Sequence, residues 1–266
     1  MNILCLKGKG LQDKRSRLTL RFAKVLWFFW GLLILCRAVY DFHLYFHGDL
    51  VAVRDRKTYD FLIHFPPGYS DFGHAHPLLI FLHGVGETGL DVREMDQFDP
   101  FHFAKGHVSR HEMPFILISP VLPAGHEWRP DRIKALIESL LQHPRRLNID
   151  PSRVYLTGYS MGGVAAFDTA EEFPELFAAV APVAGGGDRS RAELLKDLPI
   201  RAYHGDSDEV VSYRHSQEMI DAIQAAGNCE ARLIMIQGGN HHICADVYGN
   251  SDIYSWLLKH RNRFSR

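Results

Sequence analysis

From about residue 50 onward, short runs of β-branched and aromatic residues alternate with longer stretches in which apolar positions recur every three or four residues. The short runs lie at 50–54, 58–65, 78–82, 115–118, 154–157, 179–183, 200–204 and 232–236, lengths that suit strands. Helical periodicity occupies 132–141, 161–172, 191–196, 213–226 and 252–260. Strands separated by helices build a mostly parallel sheet with helices on both faces, because each parallel crossover must carry the chain back to the same end of the sheet. The first two runs join without an intervening helix, which predicts an antiparallel pair leading into parallel strands with right-handed crossovers. No repeat or low-complexity segment interrupts the alternation.

Residues 1–40 depart from this pattern. Lys7, Lys9, Lys14, Arg15, Arg17, Arg21 and Lys24 precede an uncharged apolar run, 25–36, which Arg37 closes. Such a run has the size of a signal-peptide core and falls short of the roughly 20 residues that span a bilayer. Residues 18–20 and the stems of Arg21 and Lys24 could extend it into a tilted anchor. The expectation is a targeting segment over 1–40, signal peptide or signal anchor, followed by one globular domain over 41–266. Only Asp13 opposes the cations before the run, so the N-terminus faces the cytoplasm and the domain lies outside it, exported or anchored at the membrane. The alternative is a helix packed on the domain, since Trp27, Phe28, Phe29 and Trp30 crowd every side of a helix.

Composition narrows the classes further. Hydrophobic residues make up 46% and charged residues 23% of the 266, which excludes wholesale disorder and allows a single sizeable core. A formal net charge of -1 argues against nucleic acid as a partner. The 16 histidines form no HExxH or Cys/His pairing, so neither a metal nor an organic cofactor is expected. Cys5, Cys36, Cys229 and Cys244 lack a C-x-x-C spacing; Cys229 and Cys244 flank a predicted strand and are read as either a bridge or two free thiols.

Four segments carry candidate chemistry. Gly158-Tyr159-Ser160-Met161-Gly162-Gly163 joins an apolar strand to a helix, and small neighbours two positions from Ser160 let the backbone double back so that its hydroxyl projects from the sheet. Upstream, Leu82-His83-Gly84-Val85-Gly86-Glu87 leaves another strand. The backbone N–H groups of Val85 and Met161 are the candidate oxyanion hole, with His83 a structural residue of that loop. The turn after 200–204 carries Asp206, Asp208 and Glu209; Asp208, past the strand end, is the candidate for orienting a histidine, while Asp206 caps the turn. After 232–236 come His241 and His242, either of which could accept the proton of Ser160.

With these residues in view, 58–263 resembles the small polyhydroxybutyrate-depolymerase-like and "predicted peptidase" branch of the α/β-hydrolases, relatives of feruloyl and acetylxylan esterases. The likeness rests on Leu82-His83-Gly84 with Gly86-Glu87, Ser119-Pro120 with Trp128, 150–155, the serine turn, 173–179, His204-Gly205 with Asp208, and 254–258. It implies an α/β-hydrolase fold without a large lid domain, and a triad of Ser160, Asp208 and His241. The family histidine precedes a tyrosine of the final loop, the relation of His241 to Tyr248. The implied activity is serine-dependent hydrolysis of carboxylic esters through an acyl-enzyme. The interval from Val183 to Asp208 is too short for a helical lid, which points to short-acyl or carbohydrate-linked esters. The alternatives are a serine peptidase or thioesterase with the same triad, and a membrane-tethered binding protein without turnover. Phe167 and Cys244 stand where the family often carries tryptophans, so its substrate preference does not transfer.

Overall fold

Strands β1 (Leu50–Val53), β2 (Asp60–His64), β3 (His76–Leu82), β4 (Ile116–Val121), β5 (Ile149–Tyr159), β6 (Ala179–Val183), β7 (Arg201–Gly205) and β8 (Arg232–Ile236) form one sheet in the order β1-β2-β4-β3-β5-β6-β7-β8. The structure is a computed structural model and describes residues 50–55, 57–69, 73–142 and 147–262. β2 is antiparallel to both β1 and β4, whereas β3 through β8 pair in parallel. The helices are α1 (Pro100–Ala104), α2 (Pro130–Leu141), α3 (Met161–Glu172), α4 (Arg214–Ala225), α5 (Cys244–Tyr248) and α6 (Ser251–Leu257).

Each central strand contributes to two hydrophobic layers, because successive side chains of a strand point to opposite faces. Leu78, Ile80 and Leu82 of β3, Ile116 and Ile118 of β4, and Val154 and Leu156 of β5 pack with Ile133, Ile137, Ala166 and Ile220 from α2, α3 and α4. The intervening Leu79, Phe81, Leu117 and Tyr155 pack on the other face with Tyr248, Tyr254 and Trp256 from α5 and α6. Both faces are thus covered, as continuous apolar strands require.

Several elements differ from the expectation. Residues 191–196 are not an α-helix but part of a 3₁₀ turn, Arg189–Leu195, opened by the Asp188 side chain accepting from Ser190 N–H. Helices α1 and α5 span five residues each, too few for a helical period to register. α1 is set by Asp99, whose carboxylate accepts from the N–H groups of Phe101 and His102, and by Pro100 at the first helical position. Cys229 and Cys244 are free thiols. Cys229 is exposed ahead of β8, whereas Cys244 is buried at the start of α5. The targeting reading of 1–40, with Cys5 and Cys36, falls outside the described residues. Among the described residues no helix is long and apolar enough to cross a membrane.

Candidate active site

The chain reverses sharply between β5 and α3. Ser160 sits at the reversal with φ 55° and ψ -115°, a conformation that costs an L-residue about 1–3 kcal/mol and is held by its surroundings. Its N–H donates to Val183 O at 2.9 Å, pinning the turn to β6. The flanking glycines are steric requirements: a Cβ on Gly158 would fall on the Gly162 carbonyl, and one on Gly162 on the Leu82 carbonyl. α3 can therefore start directly against the end of β3.

The loop after β8 brings His241 over this turn. His241 Nε2 is 2.9 Å from Ser160 Oγ, and its Nδ1 is 2.7 Å from Asp208 Oδ2. Parallel pairing of β7 with β8 places the two loops side by side, and Asp206 ties them by accepting from Gly238 N–H at 2.8 Å. Tyr159 O–H donates to His241 O at 2.9 Å, so the residue before the serine also holds the histidine's backbone. Below, Tyr248 O–H meets Thr157 Oγ1 at 2.9 Å, fastening α5 under β5.

The Asp208 side chain is completely buried, and its carboxylate accepts from the N–H groups of Val210 and Val211 as well as from His241. Burial acts to raise its pKa, but the hydrogen bonds from His241, Val211 and Val210 together hold it below the usual carboxylate range. His241 Nδ1 therefore faces an anion, which orients the ring so that Nε2 can accept the serine proton. His242 is exposed, its ring 6.0 Å from that of His241, and among the described residues it has no hydrogen bond to Ser160, whereas His241 Nε2 is 2.9 Å from Ser160 Oγ. Of the two histidines the fold brings His241 to the serine.

The loop after β3 closes the other side. His83 is fully buried; its Nε2 accepts from Leu122 N–H at 2.9 Å, which leaves the ring proton on Nδ1, donated to Gly84 O at 2.6 Å. Burial lowers its pKa to about 4, so it is a neutral brace for the loop. Trp128 Nε1–H donates to His83 O at 3.1 Å, adding a second brace. The position of a Cβ on Gly84 would be 3.5 Å from Ser160 Cβ, so the backbone leading into Val85 passes beside the nucleophile. Among the described residues neither Val85 N–H nor Met161 N–H has an acceptor, as donors kept for a substrate oxygen require. No cluster of metal-ligating side chains occurs among the described residues.

Two residues near the triad carried the family likeness but were given no role in the site. His204, fully buried at the end of β7, places Nε2 3.2 Å from Asp208 Oδ2 and 2.9 Å from Val211 O, and Nδ1 2.8 Å from Ser216 Oγ. Its signal was a polar residue closing an apolar strand. The other is Glu87, whose carboxylate turns back toward Gly84.

Comparison with known proteins bears on the fold and the family. Residues 126–257 match the Phospholipase/Carboxylesterase family model. A bifunctional acetylxylan esterase/xylanase of Neocallimastix patriciarum is 29% identical over 167 residues, covering 61% of this chain and 24% of that one. The chain spans 24% to 66% of the lengths of the curated relatives it matches. The crystal structure of a thermostable esterase superposes with a TM-score of 0.66 at 26% identity, covering 80% of this chain and 63% of that one. A feruloyl esterase module from Clostridium thermocellum complexed with sinapinate shares the fold, with a TM-score of 0.61 at 14% identity over 76% and 86% of the two chains. The mostly parallel sheet and these matches give the chain the α/β-hydrolase fold, and its residues 126–257 match the phospholipase/carboxylesterase family.

Proposed function

We propose that the protein hydrolyses carboxylic esters through a Ser160 acyl-enzyme. The carrying observation is the unbroken line Ser160 Oγ, His241 Nε2, His241 Nδ1, Asp208 Oδ2 at the end of the sheet. Ser160 Oγ attacks the ester carbonyl carbon while His241 Nε2 takes its proton. The carbonyl oxygen, now negative, lies against the N–H groups of Val85 and Met161. As the C–O bond breaks, His241 returns the proton to the leaving alcohol oxygen. Water then attacks the acyl carbon with His241 again as base, and Ser160 is released protonated. Asp208 stays ionised and stabilises the imidazolium in both steps.

Short-acyl or carbohydrate-linked esters are the proposed substrates. The short path from β6 to β7 leaves little chain for a lid, and acetylxylan and feruloyl esterases are among the relatives by name. Val85, Val164 and Val210 expose apolar side chains on the segments following β3, β5 and β7. Labelling of the full chain with a fluorophosphonate tests the reading. Ser160-dependent labelling together with turnover of p-nitrophenyl acetate is expected, and the absence of both would leave only a binding role.

Residues 1–40 are proposed to export the domain or tether it on the outer side of a membrane, on the strength of the cationic flank before 25–36.

A further inference from the structure

Glu87 closes the short turn Val85–Glu87 after β3, and its carboxylate points back toward the nucleophile. The place a Cβ would take on Gly84 is 3.3 Å from Glu87 Oε2, 3.3 Å from Tyr159 Cδ1 and 3.5 Å from Ser160 Cβ. Glycine at 84 therefore lets these three side chains converge on one point, which a Cβ would crowd. The Glu87 side chain is 19% exposed, so it is sheltered yet reachable. Its charge also reaches Cys244: after burial itself, Glu87 is the next cause that raises that thiol.

This carboxylate has no donor. Among the described residues nothing hydrogen-bonds to it; His83 Nδ1 is 4.0 Å away, and its proton is committed to Gly84 O. A sheltered carboxylate without donors forgoes solvation, and a negative charge near the Val85 N–H opposes the negative charge that develops on the substrate oxygen. A hydroxyl of the substrate donating to Glu87 would offset both, by satisfying the carboxylate and drawing its charge away from the reacting oxygen.

We propose that Glu87 is a substrate subsite that accepts a hydrogen bond from a hydroxyl group carried by the ester near its scissile carbonyl. The inference rests on the ester-hydrolase reading and names the chemistry of its substrate: a hydroxylated ester, with the hydroxyl on the alcohol portion, as in a sugar or polyol, or on the acyl portion, as in a hydroxy acid. An anionic ester is disfavoured at the same place by like charge.

The test compares kcat/KM of the full chain for ethyl acetate, glycerol monoacetate and ethyl glycolate, in the wild type, Glu87→Gln and Glu87→Ala, with Ser160→Ala as the blank. The wild type is expected to prefer at least one hydroxylated ester over ethyl acetate. Each Glu87 variant should lower that preference by about tenfold, as loss of a charge-assisted bond does. The arm that loses its preference identifies the portion bearing the hydroxyl. Monoethyl succinate should gain relative to ethyl acetate in Glu87→Gln. An equal ratio of hydroxylated to plain ester in wild type and variants would overturn the subsite alone. No Ser160-dependent turnover of any ester would overturn the hydrolase reading and the subsite with it. Thermal melting identifies a variant that fails to fold, and if Ala does so the Gln variant decides.

Discussion

His204 and His241 aim ring nitrogens at one atom, Asp208 Oδ2, from 3.2 Å and 2.7 Å. Burial lowers the pKa of His204, ahead of opposing contributions from Val211 and Asp208, so its ring stays neutral as it faces the carboxylate. The second imidazole shares the anion that His241 depends on. His204 is thus a positioning residue for Asp208: its Nε2–H lies between Val211 O and Asp208 Oδ2, and its Nδ1 accepts from the Ser216 hydroxyl.

Replacing His204 by Asn should therefore change the pH profile as well as the rate. With one donor fewer, Asp208 concentrates its charge on His241 and favours the imidazolium. The acid limb of kcat/KM moves to higher pH, and kcat falls roughly fivefold, equivalent to about 1 kcal/mol. A pH–rate profile beside a thermal melt checks this. Loss of stability with an unmoved acid limb would make His204 a packing residue only.

Ser160→Ala should abolish turnover, with a loss in kcat of at least about 10³-fold and an unchanged fold. Ser160→Gly should be equally inactive yet melt higher, since glycine adopts φ 55° without strain, a gain of roughly 1 kcal/mol. Melting curves of the two variants separate the chemical role of the side chain from the backbone cost of its position.

His241→Ala should cost far more activity than His242→Ala, because only His241 stands between Ser160 and Asp208. Steady-state kinetics on p-nitrophenyl acetate measure both. The reverse order would mean that the loop rearranges to present His242.

Glu171 on α3 predicts a pH-dependent stability unconnected with the triad. Its side chain is buried; Oε1 accepts from Asp188 N–H at 3.1 Å, Oε2 has no donor, and Arg191 is 3.6 Å away. Burial, reinforced by Asp168, raises its pKa to about 7. The folded state then binds a proton that the unfolded chain releases near the ordinary glutamate value. Stability is full below that value and declines as pH rises through about 7, by on the order of 3 kcal/mol. Glu171→Gln should flatten the dependence of Tm on pH between roughly 4.5 and 7. An unchanged slope would assign the titration elsewhere.

Fractionation of the full chain beside a form beginning at Asp41 tests the role proposed for 1–40. Only the full chain is expected in the membrane or exported fraction. Both forms soluble in the cytoplasm, with the N-terminus uncleaved, would assign 25–36 to another purpose.

Local patterns in the chain were enough for the elements that local chemistry dictates. The runs 179–183 and 232–236 and the periodic stretch 161–172 coincide with β6, β8 and α3, since each is a full-length element bounded by turn residues or glycines. The serine turn was legible for the same reason: Gly158 and Gly162 are demanded by contacts within a few residues and the adjoining strand. Elements of five residues, α1 and α5, and the 3₁₀ turn Arg189–Leu195 were not legible as such, because their form depends on caps and neighbours rather than on a period. Strand order was likewise decided in three dimensions, with β4 inserted between β2 and β3 by pairings that no local pattern encodes. The same holds around the site. The residues alone placed a serine, several acids and twin histidines near strand ends, and the family resemblance singled out Ser160, Asp208 and His241; packing brought those three together, set His204 against Asp208, and turned Glu87 toward the nucleophile. Contacts between residues far apart in the chain depend on which loops the sheet places side by side, and that is determined by strand pairing and the burial of both faces.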